Sequence, residues 1–307
     1  MLAIIGNGSH VKKNILPVLK RMSLIPKYIV VKKIEINIGN DNCNYTSDYD
    51  SVLRDSDVTH IYIATPIVTH FSLAKKALMC GKNVLCEKPL TSSVSEAEEL
   101  FQISKLNDCF LQEVVMYVHH DQFFHIKKYI ESSAHGRLLC VKAKFKIPHL
   151  EDSNIRYSKE LGGGALLDVG FYPISAMQLL INDCEYNSGI VTSSEAYDVD
   201  LNGCAIFSNG HVFGIAEWSI GGCYSNQISL EFEGAVVQFE RAFSKPFNLQ
   251  TKVNITYSNG DDISQYIEES DHFERLFKDF ISRKKNYVED RLKTVSRIRI
   301  FEDLAII

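Results

Sequence analysis

The sequence predicts a two-part α/β plus α+β chain: a first half on a parallel sheet, and a second half on an open, mostly antiparallel sheet with helices. Three observations predict it. Through residue 117, short apolar runs alternate with amphipathic segments, which calls for a parallel sheet with helices on both faces. From about residue 120, apolar and polar residues alternate along short runs, as in strands with one wet face. Asn209-Gly210 and Asn259-Gly260 fall between such runs and supply hairpin turns. The 307 residues make one large or two ordinary domains, at roughly 100–200 residues each. The expected division is 1–117 and 118–307, with no flexible linker between them and with the last helix free to pack back on the first domain.

The elements follow in order. Leu2–Ile5 is a compact apolar run ending in Gly6-Asn7-Gly8. Val11, Ile15, Val18, Leu19 and Met22 recur at helical spacing. Tyr28–Val31, Ile61–Ala64, Asn83–Cys86 and Cys109–Val115 are the next strands, and His70–Cys80 is a helix that Gly81 ends. Ser93-Val94-Ser95-Glu96 reads as a capping box opening a helix that carries Leu100, Ile103 and Leu106. Asp121–Ser133 is a further helix. Val141, Ala143, Phe145 and Ile147 then alternate with Lys142, Lys144 and Lys146. Strands are expected at Gly189–Thr192, Asn202–Phe207, Val212–Trp218, Ile228–Phe232, Val236–Phe239 and Val253–Tyr257. Helices over Asp271–Arg283 and Leu292–Ile306 close the chain.

Composition excludes several functions. The net charge is −5, from 33 basic and 38 acidic side chains, so phosphate neutralisation cannot drive nucleic-acid binding. No apolar run approaches the ~20 residues of a membrane helix. Met1–Gly6 runs directly into a strand, so no secretory leader is expected and a cytoplasmic setting is. The eight cysteines contain no Cys-x-x-Cys pair and are expected reduced and mostly buried. His119, His120, Asp121 and His125 cluster without zinc-ligand spacing, and no metal is expected.

Four motifs carry chemistry. Gly6-Asn7-Gly8-Ser9-His10-Val11 joins a strand to a helix, where two glycines admit a pyrophosphate and the helix N-terminus favours its charge; Val11 holds the third glycine position. The second strand ends in Lys32-Lys33, where an NAD site usually has a carboxylate. Two ammonium groups suit a 2′-phosphate, so NADP is expected over NAD; the alternative is a ribose contact from Glu35. Glu87-Lys88-Pro89 follows a parallel strand, at the sheet end where ligands bind. In Gly162-Gly163-Gly164-Ala165-Leu166-Leu167-Asp168-Val169-Gly170-Phe171-Tyr172-Pro173, a helix starts near Ala165 and sets Asp168 and Tyr172 on one face. Pro173 removes the bond to the Val169 carbonyl, so a kink is expected where Tyr172 points.

Together these residues resemble the Gfo/Idh/MocA oxidoreductases along essentially the whole chain. Gly6-x-Gly8, Thr65-Pro66-Ile67-Val68-Thr69-His70, Gly81–Leu90, Glu113-Val114-Val115-Met116-Tyr117 and Gly162–Tyr172 carry the resemblance. Asn154-Ile155-Arg156 ahead of Leu161-Gly162, with Tyr172 rather than His, is similar to one branch. That branch holds glucose–fructose oxidoreductase, dihydrodiol dehydrogenase, xylose dehydrogenase and sugar-nucleotide 3-ketoreductases. The chain departs from the pattern at Ile67, where Asn is frequent, at Val118, where Arg is common, and at Asp121, where Pro is usual.

The resemblance implies an N-terminal Rossmann domain, an open C-terminal sheet, a nicotinamide between them, a Lys88–Pro89 bond open to the cis form, and dimers or tetramers formed through the sheet. It implies hydride transfer between NAD(P) and a sugar or sugar-nucleotide carbonyl or hydroxyl. Tyr172 would be the acid/base, Lys88 its electrostatic partner and Asp168 the carboxylate one turn earlier. Gly6, Asn7, Gly8, Ser9, His10, Val11, Lys32, Lys33, Thr65, Pro66, His70, Glu87, Lys88 and Glu113 are the expected cofactor contacts. Lys88, Tyr117, Arg156, Asp168 and Tyr172 are the expected substrate contacts. The alternatives are a dehydrogenase of free sugars or cyclic diols, and a silent cofactor-binding protein. The central expectation is that the Lys88 amine and the Tyr172 hydroxyl meet beside one nicotinamide ring.

Overall fold

A computed structural model describes residues 1–33, 43–132, 134–194, 196–282 and 287–305, with 287–289 described by backbone alone. The chain forms two compact units, Met1–Val114 with Phe273–Arg299, and Val115–His272 with the residues from Ile300 on.

The first unit is built on six parallel strands: β1 (Leu2–Ile5), β2 (Tyr28–Val30), β3 (Asn44–Thr46), β4 (His60–Ile63), β5 (Asn83–Cys86) and β6 (Leu111–Glu113). Their order is β3-β2-β1-β4-β5-β6. The order reverses at β1, so the crevice beyond the C-terminal ends of β1 and β4 is the topological switch point. Every residue of β1 and β5 is buried, as expected of strands covered on both faces. The helices are α1 (Leu16–Arg21), α2 (Tyr49–Arg54), α3 (His70–Met79) and α4 (Val94–Leu106). Ile5, Ile61, Ile63, Val84, Leu78, Leu100 and Phe101 join one core, to which Ile298 returns from the end of the chain.

Several expectations change here. The first helix opens as a π-turn over Val11–Ile15 before α1. Pro17 has no N–H and its ring excludes the carbonyl four residues back, which the wider turn accommodates. Ser93 makes no side-chain cap; its Oγ lies 2.9 Å from Ser95 Oγ instead. Periodicity missed β3 and α2, which are short; α2 is capped by Asp48, whose Oδ1 accepts from Ser51 N–H at 2.9 Å. The cysteines are all free, but only Cys86, Cys109 and Cys140 are buried, and Cys80 and Cys223 are exposed. Thiols small enough for a core are also tolerated at helix ends and turns.

The second unit begins with α5 (Asp121–Glu131). Its sheet contains β7 (Leu138–Ile147), β8 (Glu185–Ser194), β9 (Tyr197–Ser208), β10 (Phe213–Ile220), β11 (Ser225–Phe232), β12 (Ala235–Glu240), β13 (Thr251–Tyr257) and β14 (Asp262–Ile267). The order is β14-β13-β12-β11-β7-β10-β9-β8, antiparallel throughout except for the parallel pair β7–β10. Helix α6 (Phe171–Leu180) packs on β7 and β10. Helices α7 (His272–Ser282) and α8 (Tyr287–Ala305) close the chain. The expected helix ends Ser133, Arg283 and Ile306 lie outside the described residues.

The wet face of β7 is used. Lys142 pairs with Glu231 at 2.5 Å and Lys146 with Glu217 at 2.7 Å, across to the neighbouring strands. Both Asn-Gly hairpins form; Asn209 Oδ1 accepts from Val212 N–H at 2.8 Å, and Gly210 takes φ +83°. β14 escaped the sequence pattern because it is an edge strand exposed along nearly all its length. Among the described residues, no helix is long and apolar enough to cross a membrane.

Candidate active site

In the first unit, Gly6 ends β1 with φ +104°, and a Cβ there would run into the Ala64 carbonyl that ends β4. Only glycine lets the two strand ends close so far. A Cβ on Gly8 would meet nothing within 4 Å, so the turn stays open. Asn7 Oδ1 is shut off from solvent, with no donor to satisfy it among the described residues. A closed glycine turn with free space at a helix N-terminus fits a pyrophosphate, and the orphaned Asn7 acceptor fits a hydroxyl donor such as a ribose of the same dinucleotide; Gly6, Asn7, Gly8 and Ser9 are the residues that would hold it. Val11 is fully buried, so its side chain serves the core beneath the turn. Lys32 and Lys33 are exposed in the bend after β2. Glu35 lies outside the described residues.

His10 reaches back to the end of β5. Its Nδ1 accepts from the Asn14 amide at 3.0 Å, leaving Nε2–H to face Glu87 Oε1 at 3.2 Å and Tyr62 OH at 3.2 Å. The Tyr62 hydroxyl donates to Glu87 Oε1 at 2.6 Å, and Lys88 N–H to Oε2 at 3.3 Å. Burial pushes the Glu87 carboxyl up, but His10, Tyr62 and the Lys88 charge outweigh it, and the net direction is down. Glu87 is thus an ionised post that fixes the start of the Lys88 loop. Tyr62 escaped the sequence reading because inside an apolar run it looks like any other strand residue.

Two further residues hold that loop. His70 Nδ1 lies 2.9 Å from the Pro89 carbonyl and Nε2 lies 2.9 Å from the Thr65 carbonyl. Burial lowers the His70 pKa, and a neutral imidazole gives its single N–H to one carbonyl at a time. His70 therefore ties the Thr65-Pro66 loop to the Lys88-Pro89 loop. Glu113 Oε1 accepts from Leu90 N–H at 2.7 Å, and Oε2 lies 2.5 Å from Arg297 Nη2. Expected among the cofactor contacts, the Glu113 carboxylate is instead taken up in holding this loop. Sequence reading missed Arg297; its one signal is a cation beside the buried Ile298 of α8. The Lys88–Pro89 peptide is cis.

In the second unit, Asn154 Oδ1 accepts from Arg156 N–H at 3.1 Å and closes a short 3₁₀ turn. Arg156 Nε then donates to Asp168 Oδ2. The Asp168 charge holds the guanidinium above its usual pKa against the effect of burial, and Tyr172 and Tyr157 add to it. The helix bearing Asp168 starts at Ala165, as expected. The irregularity expected at Pro173 is a π-turn over Leu166–Gly170, which precedes α6 and accommodates the proline, as at Pro17. Asp168 therefore lies in the π-turn and Tyr172 in the first turn of α6, in place of the straight α-helical face expected.

Tyr172 is 9% exposed, in an aromatic nest: Phe145 at 5.0 Å, Phe243 at 5.6 Å, Phe171 at 5.7 Å and Tyr117 at 6.2 Å between centroids. The Tyr117 hydroxyl is 2.8 Å from Ser175 Oγ, which in turn donates to the Tyr172 carbonyl at 2.8 Å. Tyr117, expected to touch substrate, braces the Tyr172 turn from the core. Gly164, at φ +114°, gives way to the Asp200 carboxylate, where a Cβ would collide. Asp200 Oδ2 accepts from Leu166 N–H at 2.7 Å and so caps the helix; burial pushes its carboxyl up to about 6. Among the described residues, no three His, Cys, Asp or Glu gather as a metal site.

Residues 3–114 match the profile described as "Oxidoreductase family, NAD-binding Rossmann fold", and residues 123–261 match the "GFO/IDH/MocA C-terminal domain". The chain belongs to the Gfo/Idh/MocA oxidoreductase family. It is 32% identical over 211 residues to dTDP-3,4-didehydro-2,6-dideoxy-alpha-D-glucose 3-reductase of Actinomadura kijaniata, a stretch covering 67% of this chain and 63% of that relative. The match thus spans less than two thirds of the relative's length. A trans-1,2-dihydrobenzene-1,2-diol dehydrogenase of Xenopus tropicalis is 30% identical over 139 residues, 44% of this chain and 40% of that one. The crystal structure of a 3-ketoreductase from Actinomadura kijaniata, in complex with NADP and TDP-benzene, superimposes with a TM-score of 0.92. It is 25% identical and covers 99% of this chain and 97% of that one. The Gfo/Idh/MocA architecture expected from the motifs is the one observed. Gly6, Thr65, Pro66, His70, Glu87 and Lys88 gather in the first unit at the ends of β1, β4 and β5. Arg156, Asp168 and Tyr172 gather in the second.

Proposed function

We propose that this chain is an NADP-dependent reductase of a keto sugar nucleotide. The observation that carries the reading is the Arg156–Asp168 ion pair set just before Tyr172, in a chain whose whole length matches a 3-ketoreductase fold. When bound at the Gly6–Ser9 turn, a nicotinamide dinucleotide supplies the hydride. Lys32 and Lys33 favour a 2′-phosphate on it. Tyr172 gives its proton to the substrate oxygen as negative charge develops there. Lys88 stabilises that charge, from a loop that Glu87, His70 and Glu113 hold rigid. Asp168, paired with Arg156, orients a substrate hydroxyl, and the aromatic nest around Tyr172 excludes water.

Assembly is part of the same reading. Ile190, Ile206 and Phe213 are exposed on β8, β9 and β10, and a dimer or tetramer built on this sheet would cover them. The deciding experiment is a panel of keto-deoxy sugar nucleotides, free aldoses, inositols and cyclic diols, followed by NAD(P)H absorbance. Turnover of keto sugar nucleotides is expected. Turnover of diols or free sugars alone favours the diol reading that the Xenopus relative supports. Cofactor binding with no turnover of any substrate favours the silent one.

A further inference from the structure

Two cations of the second unit are used by nothing described above. Lys245, in the loop after β12, is 8% exposed. Its ammonium makes one hydrogen bond, to the Ala242 carbonyl at 3.0 Å, and has no carboxylate partner among the described residues. Burial alone pulls its pKa down to about 7. Arg241 begins the same loop with φ +51°, a conformation a non-glycine residue adopts only under constraint. Its guanidinium lies 4.6 Å from the Tyr224 ring centroid and its Nη1 is 2.6 Å from the Tyr224 hydroxyl. It too has no ion-pair partner among the described residues. A buried charge is ordinarily paired, because leaving water without a counter-charge is costly.

The loop is preorganised. Asn226 is 5% exposed, and its Oδ1 accepts from Phe243 N–H at 2.8 Å. Its Nδ2 donates to the Ser244 carbonyl at 2.8 Å and to the Tyr224 hydroxyl at 3.1 Å. Between the two residues in sequence lies Phe243, whose ring packs 5.6 Å from that of Tyr172. One hydrogen-bonded loop therefore carries two basic side chains without a counter-charge, two residues before and two residues after a ring in contact with the proton-donating tyrosine.

We propose that Arg241 and Lys245 anchor the diphosphate of the substrate, an inference that rests on the keto sugar-nucleotide reading. A diphosphate carries the counter-charge that both side chains lack. The planar guanidinium matches phosphate oxygens in pairs, and the lysine acts as a point charge. Holding the diphosphate here leaves the sugar to reach toward Tyr172.

The test is calorimetric titration of the NADP-loaded protein with thymidine diphosphate and with thymidine. The wild type binds the diphosphate and not the nucleoside. Arg241→Gln and Lys245→Met each weaken diphosphate binding at least about tenfold, and the double variant about a hundredfold. NADP affinity serves as the check on folding. Lys245→Met also raises Tm without ligand, because the lone buried charge is gone, and loses most of the diphosphate-induced rise. Wild-type diphosphate affinity in both variants overturns the anchor while leaving the reductase reading intact. A wild type that reduces free sugars or diols and binds no diphosphate overturns the anchor together with the sugar-nucleotide reading. Should Lys245→Met fail to bind NADP, Arg241→Gln, at an exposed position, decides the matter alone.

Discussion

Arg297 Nη2 lies 2.5 Å from Glu113 Oε2, with side chains only 3% and 2% exposed. The other Glu113 oxygen holds Leu90 N–H, so one buried ion pair connects α8 to the loop of Lys88. Removing one partner of such a pair strands a buried charge. Arg297→Met should therefore cost about 3–5 kcal/mol in urea unfolding. Adding Glu113→Gln should recover part of the loss, because no charge is then left unpaired. A single variant as stable as wild type would show that the pair contributes nothing.

Tyr172→Phe removes one hydroxyl from a ring packed on several sides. Stability and NADP binding should change little, and turnover should fall by about 10²–10⁴, the usual contribution of a positioned acid. Steady-state kcat on the best substrate of the panel is the measurement. Undiminished kcat would take Tyr172 out of the mechanism.

Asp200 caps the segment that bears Asp168 and Tyr172, and its carboxyl is pushed up to about 6 by burial. An unfolded-chain aspartate titrates near ~3.9. Between these values the folded protein holds the proton more tightly than the unfolded chain. The stability Asp200 contributes is thus complete below pH ~4 and is lost as pH rises through about 6, on the order of 2 kcal/mol in all. Urea titrations across that window should show a shallower decline with rising pH in Asp200→Asn than in wild type. Identical slopes would mean Asp200 is not the group responsible.

Lys32 and Lys33 stand exposed after β2. If they receive a 2′-phosphate, kcat/KM should favour NADPH over NADH. The Lys32→Ala, Lys33→Ala double variant should lose about tenfold or more with NADPH and little with NADH. A wild-type preference for NADH would end the NADP assignment.

Much of the fold was legible residue by residue. β1 and β5 match their expected limits because a strand buried on both faces is a continuous apolar run. The Gly6 turn and the triple glycine were visible because a backbone that must approach another group excludes side chains. The alternation of Val141, Ala143 and Phe145 with three lysines gave away one strand and its wet face. Short or exposed pieces left no such trace: α2 is too brief for a period, and β14 buries almost nothing.

What the sequence determined by itself was the parallel sheet with its glycine turn, the antiparallel second half, and the membership of Lys88, Asp168 and Tyr172 in short local motifs. Each is written in a few adjacent residues, by periodicity or by a steric need for glycine or proline. Only the tertiary structure decided what those motifs lean on: Arg297 for Glu113, Asp200 for the helix of Asp168, Ser175 for Tyr117, and the parallel β7–β10 pair. These partners lie from tens to nearly two hundred residues apart. Their pairing is set by which buried polar groups remain to be satisfied once the apolar surfaces have closed, and no local pattern encodes that.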